Sequence, residues 1–470
     1  MSQREFTRLT ADDLARFCRI CGSEYVTIDA DDLKTYGSDE TEDLNFPPDV
    51  VVKPQTTEQV AEVLRYCNDR RLPVTPRGGG TGLSGGALPV FGGVCLSLEK
   101  MNRIIEIDCE NLMAVVQPGV ITQTLQEKVE ELGLFYPPDP ASRGSCFIGG
   151  NLAENSGGPR ALKYGVTKDW VLGITAVLPT GETIRPGGKL LKNVSGYNFT
   201  QLIIGSEGTL AVITEIILKL IPRPKHRRTL LVPFDDLEQA AVALTKIFFA
   251  RIIPCAAEFM ERAAIIAAEQ KFEKAYPHSA AAAQLLLEVD GNEERVLDRE
   301  CETIAEVCTE CGALDVLIAD SPTRQNEIWE MRRGVGEAVK SICPYKEEDT
   351  VVPRAQLPKL VRLIHEIAER HQLMTISYGH AGDGNIHVNI LKKDLTDEQW
   401  NESLPRAITE LFQRVVELGG TISGEHGIGW VQKRYLPLAV SPAELDLMRR
   451  VKEVFDPNGI LNPGKLIPDG

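Results

Sequence analysis

Only seven histidines occur in this 470-residue chain, and three of them sit in glycine-rich turns. The first turn reads Tyr378-Gly-His380-Ala-Gly-Asp-Gly-Asn-Ile-His387-Val-Asn389, and the second reads Thr421-Ile-Ser-Gly-Glu425-His426-Gly-Ile-Gly429. His380, His387 and Glu425 form a two-imidazole, one-carboxylate set of the kind that binds a divalent metal and leaves a position open for substrate. Any one of these histidines could instead be a hydrogen-bonded structural residue. Two such motifs in a chain so poor in histidine favour chemistry. His380 and His387 are an odd number of residues apart, so one straight strand would face them oppositely. The Gly-Asp-Gly turn between them removes that objection, because it can fold His380 back over the face of His387 and Asn389.

A different chemistry is written in the first half. Pro76-Arg-Gly-Gly-Gly-Thr-Gly-Leu-Ser-Gly-Gly86 follows an expected strand. Its Gly80-x-Gly82-x-x-Gly85 has the letters of the dinucleotide fingerprint but not the context, since no helix can follow Gly85 in this sequence. NAD binding by that route is not expected. Consecutive glycines still let backbone N–H groups converge on an anion such as a pyrophosphate. Further backbone-dense loops follow at Pro137-Pro-Asp-Pro-Ala-Ser142, Ile148-Gly-Gly-Asn151, Asn155-Ser-Gly-Gly158 and Gly205-Ser-Glu-Gly-Thr-Leu210. Several such loops suit a large flat ligand held along its length.

These loops, taken in order with the terminal Asn462-Pro-Gly-Lys465, closely resemble the vanillyl-alcohol oxidase / p-cresol methylhydroxylase family. The branch they resemble contains glycolate oxidase FAD subunits, D-lactate dehydrogenases and D-2-hydroxyglutarate dehydrogenases. The resemblance runs from about Pro47 to Pro468 and implies an α+β protein. Its parts would be a two-lobed FAD-binding domain of p-cresol methylhydroxylase type and a C-terminal α+β substrate domain over the flavin ring. It implies FAD contacts at Pro76, Arg77, Gly78, Gly79, Gly80, Thr81, Gly82, Pro138, Ser142, Gly149, Gly150, Asn155, Gly157, Gly158, Glu207, Gly208 and Asn462. Members that link FAD covalently often carry a histidine in the first glycine loop. Here Thr81 stands there and no histidine precedes His226, so non-covalent FAD is implied.

In the second half the resemblance makes His380, His387 and Glu425 ligands of a zinc, manganese or iron ion. It makes His426 the base and Asn389 a substrate contact, with Arg332 and Lys346 holding the substrate carboxylate. The implied reaction oxidises a small 2-hydroxy acid, lactate or glycolate in kind. Gly336 stands where the 2-hydroxyglutarate enzymes carry a hydroxyl residue, and Glu347-Glu348-Asp349 is a poor setting for a second substrate carboxylate. With neither a cluster motif nor an NAD site, electrons are expected to pass to an external acceptor: an electron-transfer flavoprotein, an iron–sulfur subunit, a quinone or oxygen. D-2-hydroxyglutarate oxidation and a non-redox reaction of the ether-lipid synthase type are the alternatives. A metallohydrolase would leave the glycine loops unexplained.

The elements that must position these residues divide the chain into four expected spans. Residues 1–45 form a helical segment, 46–225 the FAD-binding domain, 226–454 the substrate domain, and 455–470 a tail returning to the flavin. Short β runs from Val50 to Gln117 enclose two helices, one opened by Thr56 and Gln59, the other striped by Leu125, Val129 and Leu132. Pro222 to Arg228 reads as a linker. Beyond Thr229, strands (mixed or antiparallel) alternate with long helices, among them Glu293–Cys311, Thr323–Val339 and Asp397–Leu418.

A formal charge of −16 without a basic run excludes nucleic acid as a partner. No segment has the apolar length of a membrane span. Eleven scattered cysteines point to a reducing cytoplasm, with peripheral membrane docking, a homodimer or a larger complex all compatible. Cys18/Cys21 and Cys308/Cys311 have CxxC spacing, but the second pair falls on an apolar helical stripe, so both read as packing cysteines.

Overall fold

Three short runs rich in β-branched residues, Val50–Val52, Val94–Ser97 and Val74–Arg77, pair in parallel and are almost wholly buried. Parallel strands are covered on both faces, which is why such runs do not alternate with polar residues. Val26–Thr27 adds antiparallel to Val50–Val52, so the first 45 residues are not helical throughout: a strand lies between the helices Ala11–Cys21 and Ala30–Tyr36. The helix Thr57–Arg70 starts where expected, with Thr56 Oγ1 accepting the Gln59 N–H at 3.3 Å. Gln59 Oε1 reaches past the cap to the Gln55 N–H at 2.7 Å. The second helix ends early, at Glu130, and leaves Leu132 exposed.

A second, antiparallel sheet has the order Ile104–Asp108, Met113–Val116, Val212–Lys219, Val171–Val177, Thr183–Ile184. These two sheets are the two lobes expected of the first half. The computed structural model describes residues 6–319 and 321–469. Within it the chain forms two compact units, one ending at Arg223 and resuming at Glu425, the other comprising Gly157–Gly165 and Pro224–Gly424. The second unit has Gly424 as its last residue. The expected linker is itself structured: Ile221–Pro222 pairs with Leu134–Phe135, and His226 already begins a strand.

The second unit is built on a seven-stranded, fully antiparallel sheet. Its order is Leu317–Ile318, His226–Phe234, Ala283–Gly291, Ala256–Glu261, Met374–His380, Asn385–Leu391, Tyr345–Val351. The helices Arg262–Phe272 and Pro322–Lys340 pack on one face, where Ala264, Ala268, Trp329 and Val335 meet Met260, Ile376 and Tyr378. Ser321 caps the longer of these helices, and Pro322 at its first position fixes the entry. The helix Glu294–Glu310 buries Leu297, Cys301, Ile304 and Cys308 on one stripe, as expected. Burial pushes the Cys308 thiol up to about 12, and burial with Glu62 and Cys18 does the same for Cys21, so both stay protonated and inert. No helix among the described residues is long and apolar enough to cross a membrane.

One ion pair braces the strand that carries His380. Glu261 accepts the Ser377 N–H at 2.5 Å and lies 3.3 Å from His365 Nε2 on the helix Leu357–Arg370. The hydrogen bond to Glu261 raises the His365 pKa above its ordinary value. A raised folded-state pKa stabilises fully below the unfolded value of about 6.5 and loses its effect as pH rises through the folded one. His365→Gln should therefore lower the melting temperature more at about pH 5.5 than at about pH 8.5. Equal losses at both values in paired melting curves would contradict the assignment.

Candidate active site

The histidine turn is a β-hairpin. Met374–His380 and Asn385–Leu391 pair so that His380 is opposite Asn385, Tyr378 opposite His387 and Ile376 opposite Asn389. Directly opposed residues share a face, so the four-residue turn brings His380, His387 and Asn389 to one side, as the sequence requires. The two imidazole rings meet edge to face with centroids 5.2 Å apart, and both side chains are buried.

The neighbouring strand Ala256–Glu261 supplies a residue that the sequence reading missed, Glu258. Its carboxylate is fully buried, with oxygens 2.8 and 3.0 Å from His380 Nδ1. Arg332 Nη2 from the covering helix is 2.5 Å from Oε2. Burial alone would raise this carboxyl, but the charges of His380 and Arg332 outweigh it and hold Glu258 below the usual carboxylate range. An ionised carboxylate only accepts, so Nδ1 of His380 carries a proton, and in the neutral imidazole that leaves the lone pair on Nε2. Carboxylates orient metal-binding histidines in this way. The signal available in the sequence was one charge inside the apolar run Cys255-Ala-Ala-Glu258-Phe-Met260.

Arg332 is 6% exposed, its guanidinium carbon lies 5.2 Å from the Tyr378 ring centroid, and its Nε has no protein hydrogen-bond partner. One turn further along, a Cβ on Gly336 would lie 3.0 Å from the Tyr378 hydroxyl, so tyrosine occupies the space a larger residue there would take. Burial and the Glu347 charge hold the Tyr378 phenol well above its usual range, keeping it a donor to Glu347 Oε1 at 3.4 Å. Asn389 is completely buried, and neither its amide oxygen nor its nitrogen meets a protein partner at hydrogen-bonding geometry. A buried amide without protein partners is costly unless a ligand satisfies it.

The edge strand Tyr345–Val351 pairs with the second strand of the hairpin. Glu347 pairs opposite Asn389 and Asp349 opposite His387, whereas Lys346 pairs opposite Ile390. Alternation puts Lys346 and Glu348 on the far face of the sheet. By register Glu347 holds the position beside Asn389, and Lys346 starts from the opposite face of the edge strand. Asp349 is structural as well: it accepts from Asn385 Nδ2 at 2.6 Å, Ser423 Oγ at 3.0 Å and the Gly424 N–H at 2.7 Å. This ties down the chain immediately before Glu425.

The glycine loops belong to the first unit as far as Ser156, and again at residues 205–210. Pro76 and Arg77 end a strand, and Gly78 to Gly82 turn away from it, with no helix following. A Cβ on Gly79 would lie 2.6 Å from the Ser145 carbonyl, and one on Gly78 would lie 3.6 Å from the Gly150 backbone. Gly149 and Gly150 open the short helix Ile148–Glu154, and a Cβ on Gly150 would meet nothing within 4 Å. Arg77 is buried with Nη1 lacking a protein partner. Two closely approaching glycine backbones beside a buried guanidinium fit a diphosphate-bearing cofactor.

Other expected cofactor residues are tied into the fold by hydrogen bonds. Asn155 Oδ1 accepts the Lys168 N–H, and Asn462 Nδ2 donates to the carbonyls of Gly86 and Glu207. The Pro138 carbonyl accepts from Gln126, and the Ser142 carbonyl from the N–H groups of Ser145 and Cys146. Gly208 turns with positive φ beside Pro76, while Gly157 and Gly158 fall at the start of the second unit. Thr81 is half-buried in the glycine loop. Glu425 and His426 open the return into the first unit, with His426 Nε2 3.9 Å from Glu425 Oε1.

Comparison with known proteins matches both halves. Residues 48–187 match the family described as "FAD binding domain", and residues 223–466 match "FAD linked oxidases, C-terminal domain". The glycolate oxidase subunit GlcD of Bacillus subtilis (strain 168) is 40% identical, over 97% of this chain and 97% of its own. A D-lactate dehydrogenase of Anaerostipes hadrus is 38% identical over 99% of each. The D-2-hydroxyglutarate dehydrogenase of Stutzerimonas stutzeri (strain A1501) is 36% identical over 94% of this chain and 96% of its own. Among solved structures, p-cresol methylhydroxylase with substrate bound superposes with a TM-score of 0.80 at 18% identity, covering 97% of this chain and 96% of its own. At that identity the likeness concerns the fold alone.

The tight approach at Gly79 gives a direct test of the cradle. Gly79→Ala should release FAD and yield a paler protein, because the added Cβ collides with the Ser145 carbonyl. A variant that keeps the parent's flavin-to-protein absorbance ratio through dialysis would contradict this geometry. With both halves matched in order, and with relatives of more than one-third identity along nearly its whole length, the chain belongs to the FAD-linked oxidases and is an FAD-binding oxidoreductase.

Proposed function

We propose that this chain is an FAD-dependent dehydrogenase that oxidises a short 2-hydroxy monocarboxylate, lactate or glycolate in kind, to its 2-oxo acid. The observation that carries the reading is the single buried face bearing His380, His387, Asn389 and Arg332, with Glu258 fixing the His380 tautomer. FAD, held without a covalent link, supplies the acceptor for the C2 hydride. His380, His387 and Glu425 would hold a divalent metal, which would supply the charge that acidifies the substrate hydroxyl.

The chain's own groups do the rest. Arg332 offers its unpartnered Nε and remaining N–H groups to the substrate carboxylate. Asn389 satisfies its amide on the substrate oxygens. His426, next in sequence to Glu425, takes the hydroxyl proton, as an imidazole titrating near neutrality is suited to do. The two reducing equivalents would pass from FAD to an external acceptor, an electron-transfer flavoprotein, an iron–sulfur subunit or a quinone.

Charge on the face favours the short acid. Glu258, Glu347 and Asp349 all lie on it, and Arg332 and Lys340 each already approach one of these carboxylates. A second substrate carboxylate would be buried among like charges. The names of the relatives agree on the wider class, since glycolate, D-lactate and D-2-hydroxyglutarate are all 2-hydroxy acids.

Anaerobic mixing of the yellow protein with D- and L-lactate, glycolate and D-2-hydroxyglutarate tests the reading by flavin bleaching. Rapid bleaching by a monocarboxylate is expected, abolished by chelation with FAD still bound. His426→Ala should slow it roughly 10²-fold or more. Bleaching by D-2-hydroxyglutarate alone would refute the substrate assignment, and parental rates in His426→Ala would refute the base.

A further inference from the structure

The chain that carries Glu425 and His426 is gripped from within the first unit by a carboxylate that faces neither ligand loop nor solvent. Glu207 is 5% exposed, and its two oxygens accept the N–H groups of Ile428 at 2.7 Å and Gly429 at 2.6 Å. Its main chain is fixed as tightly. The Glu207 N–H donates to the Ala153 carbonyl, and its own carbonyl accepts from Asn462 Nδ2 at 2.7 Å. It holds a left-handed backbone (φ +52°), which a non-glycine residue keeps only where its surroundings impose it. Between this clamp and His426 lies Gly427, also left-handed (φ +81°). A Cβ there would lie 2.2 Å from Glu154 Oε2 and 3.0 Å from Glu207 Oε1.

We infer that Glu207 is a positioning residue for the oxidation, setting the aim of His426 by anchoring the two peptide N–H groups that follow it. The inference rests on the proposed role of His426 as base. It adds a role to the cofactor contact that the family resemblance implies for Glu207, since each carboxylate oxygen accepts one N–H of the Ile428–Gly429 backbone. A carboxylate accepting two backbone N–H groups makes charge-assisted bonds, stronger and more directional than neutral ones. Glu154 supports the reading. Burial, then the charges of Glu207 and Asp39, push its carboxyl well above the usual range, so Glu154 is the member of the pair that keeps a proton more readily. Burial raises the Glu207 carboxyl as well, and the Ile428 and Gly429 N–H groups, with Lys465 from the C-terminal loop, pull it back toward the anion. The pair thus closes on Gly427 from two sides without two adjacent negative charges.

A double-mutant cycle on the FAD-loaded enzyme tests this, read by anaerobic flavin reduction, flavin content and amide hydrogen exchange. Glu207→Gln keeps the side chain's size but turns a donor toward a donor. It should retain FAD, speed exchange at Ile428 and Gly429, and slow flavin reduction by about 10- to 10²-fold, the usual effect of a misplaced catalytic group. In the His426→Ala background the same substitution should cost less than about twofold, because residues acting as a unit are not additive. Gly427→Ala, which disturbs the same segment from the other side, should give the same non-additive pattern and serves if Glu207→Gln does not fold. Equal costs of Glu207→Gln in both backgrounds, or loss of FAD with exchange at Ile428 and Gly429 unchanged, would overturn the inference. If His426→Ala alone reduces flavin at the parental rate, the assigned base is wrong. If His426→Ala is slow and the costs simply add, only the positioning role fails.

Discussion

The second unit is organised around one buried anion. A carboxylate with no solvent exposure is tolerated only where charges and hydrogen bonds replace its water, and Glu258 obtains both from His380 and Arg332. That single compensation has three consequences. It makes the His380 tautomer definite, it draws Arg332 inward from a helix that would otherwise present it to solvent, and it joins the covering helix to the hairpin strand. Replacing the partner of a buried charge typically costs several kcal/mol, about 3–5, so the cluster constrains which residues the face can carry.

The same accounting explains why neighbouring positions look as they do. With one anion already neutralised, Glu347 and Asp349 need their own partners. Tyr378 and Lys340 approach Glu347, while Asn385, Ser423 and Gly424 satisfy Asp349. Asp349 thereby spends its charge on holding the chain just before Glu425, and Glu207 does the equivalent just after His426 within its own unit. Two residues that carry the proposed chemistry are thus held by backbone hydrogen bonds on either side in sequence.

Much of this was legible in the sequence, for identifiable reasons. The hairpin announced itself because glycine and aspartate at the turn leave few alternatives, and the shared face of His380, His387 and Asn389 follows from pairing geometry alone. The parallel valine strands and the Thr56-capped helix were visible through composition and capping chemistry. The strands Ala256–Glu261 and Tyr345–Val351 were not, because the residues that serve the site, Glu258, Glu347 and Asp349, are acids that interrupt an apolar alternation. Functional groups erased the pattern by which their strands would be read. Lys346 shows how much register decides: a shift of one residue exchanges near face for far face, and Glu347 for Lys346. Glu207 lay in a motif read as cofactor-binding, and only its hydrogen bonds to Ile428 and Gly429 reveal what its carboxylate holds.

The central claim is that Glu258 turns Nε2 of His380 toward a metal shared with His387 and Glu425. X-ray anomalous scattering from crystals of the enzyme purified with its native metal tests it most directly. The account predicts one strong peak at about 2.0–2.1 Å from His380 Nε2, within coordination distance of His387 and Glu425, with Nδ1 of His380 still on the Glu258 carboxylate. A peak bound to other residues, no peak in active crystals, or a His380 ring turned so that Nδ1 leaves Glu258 would contradict it.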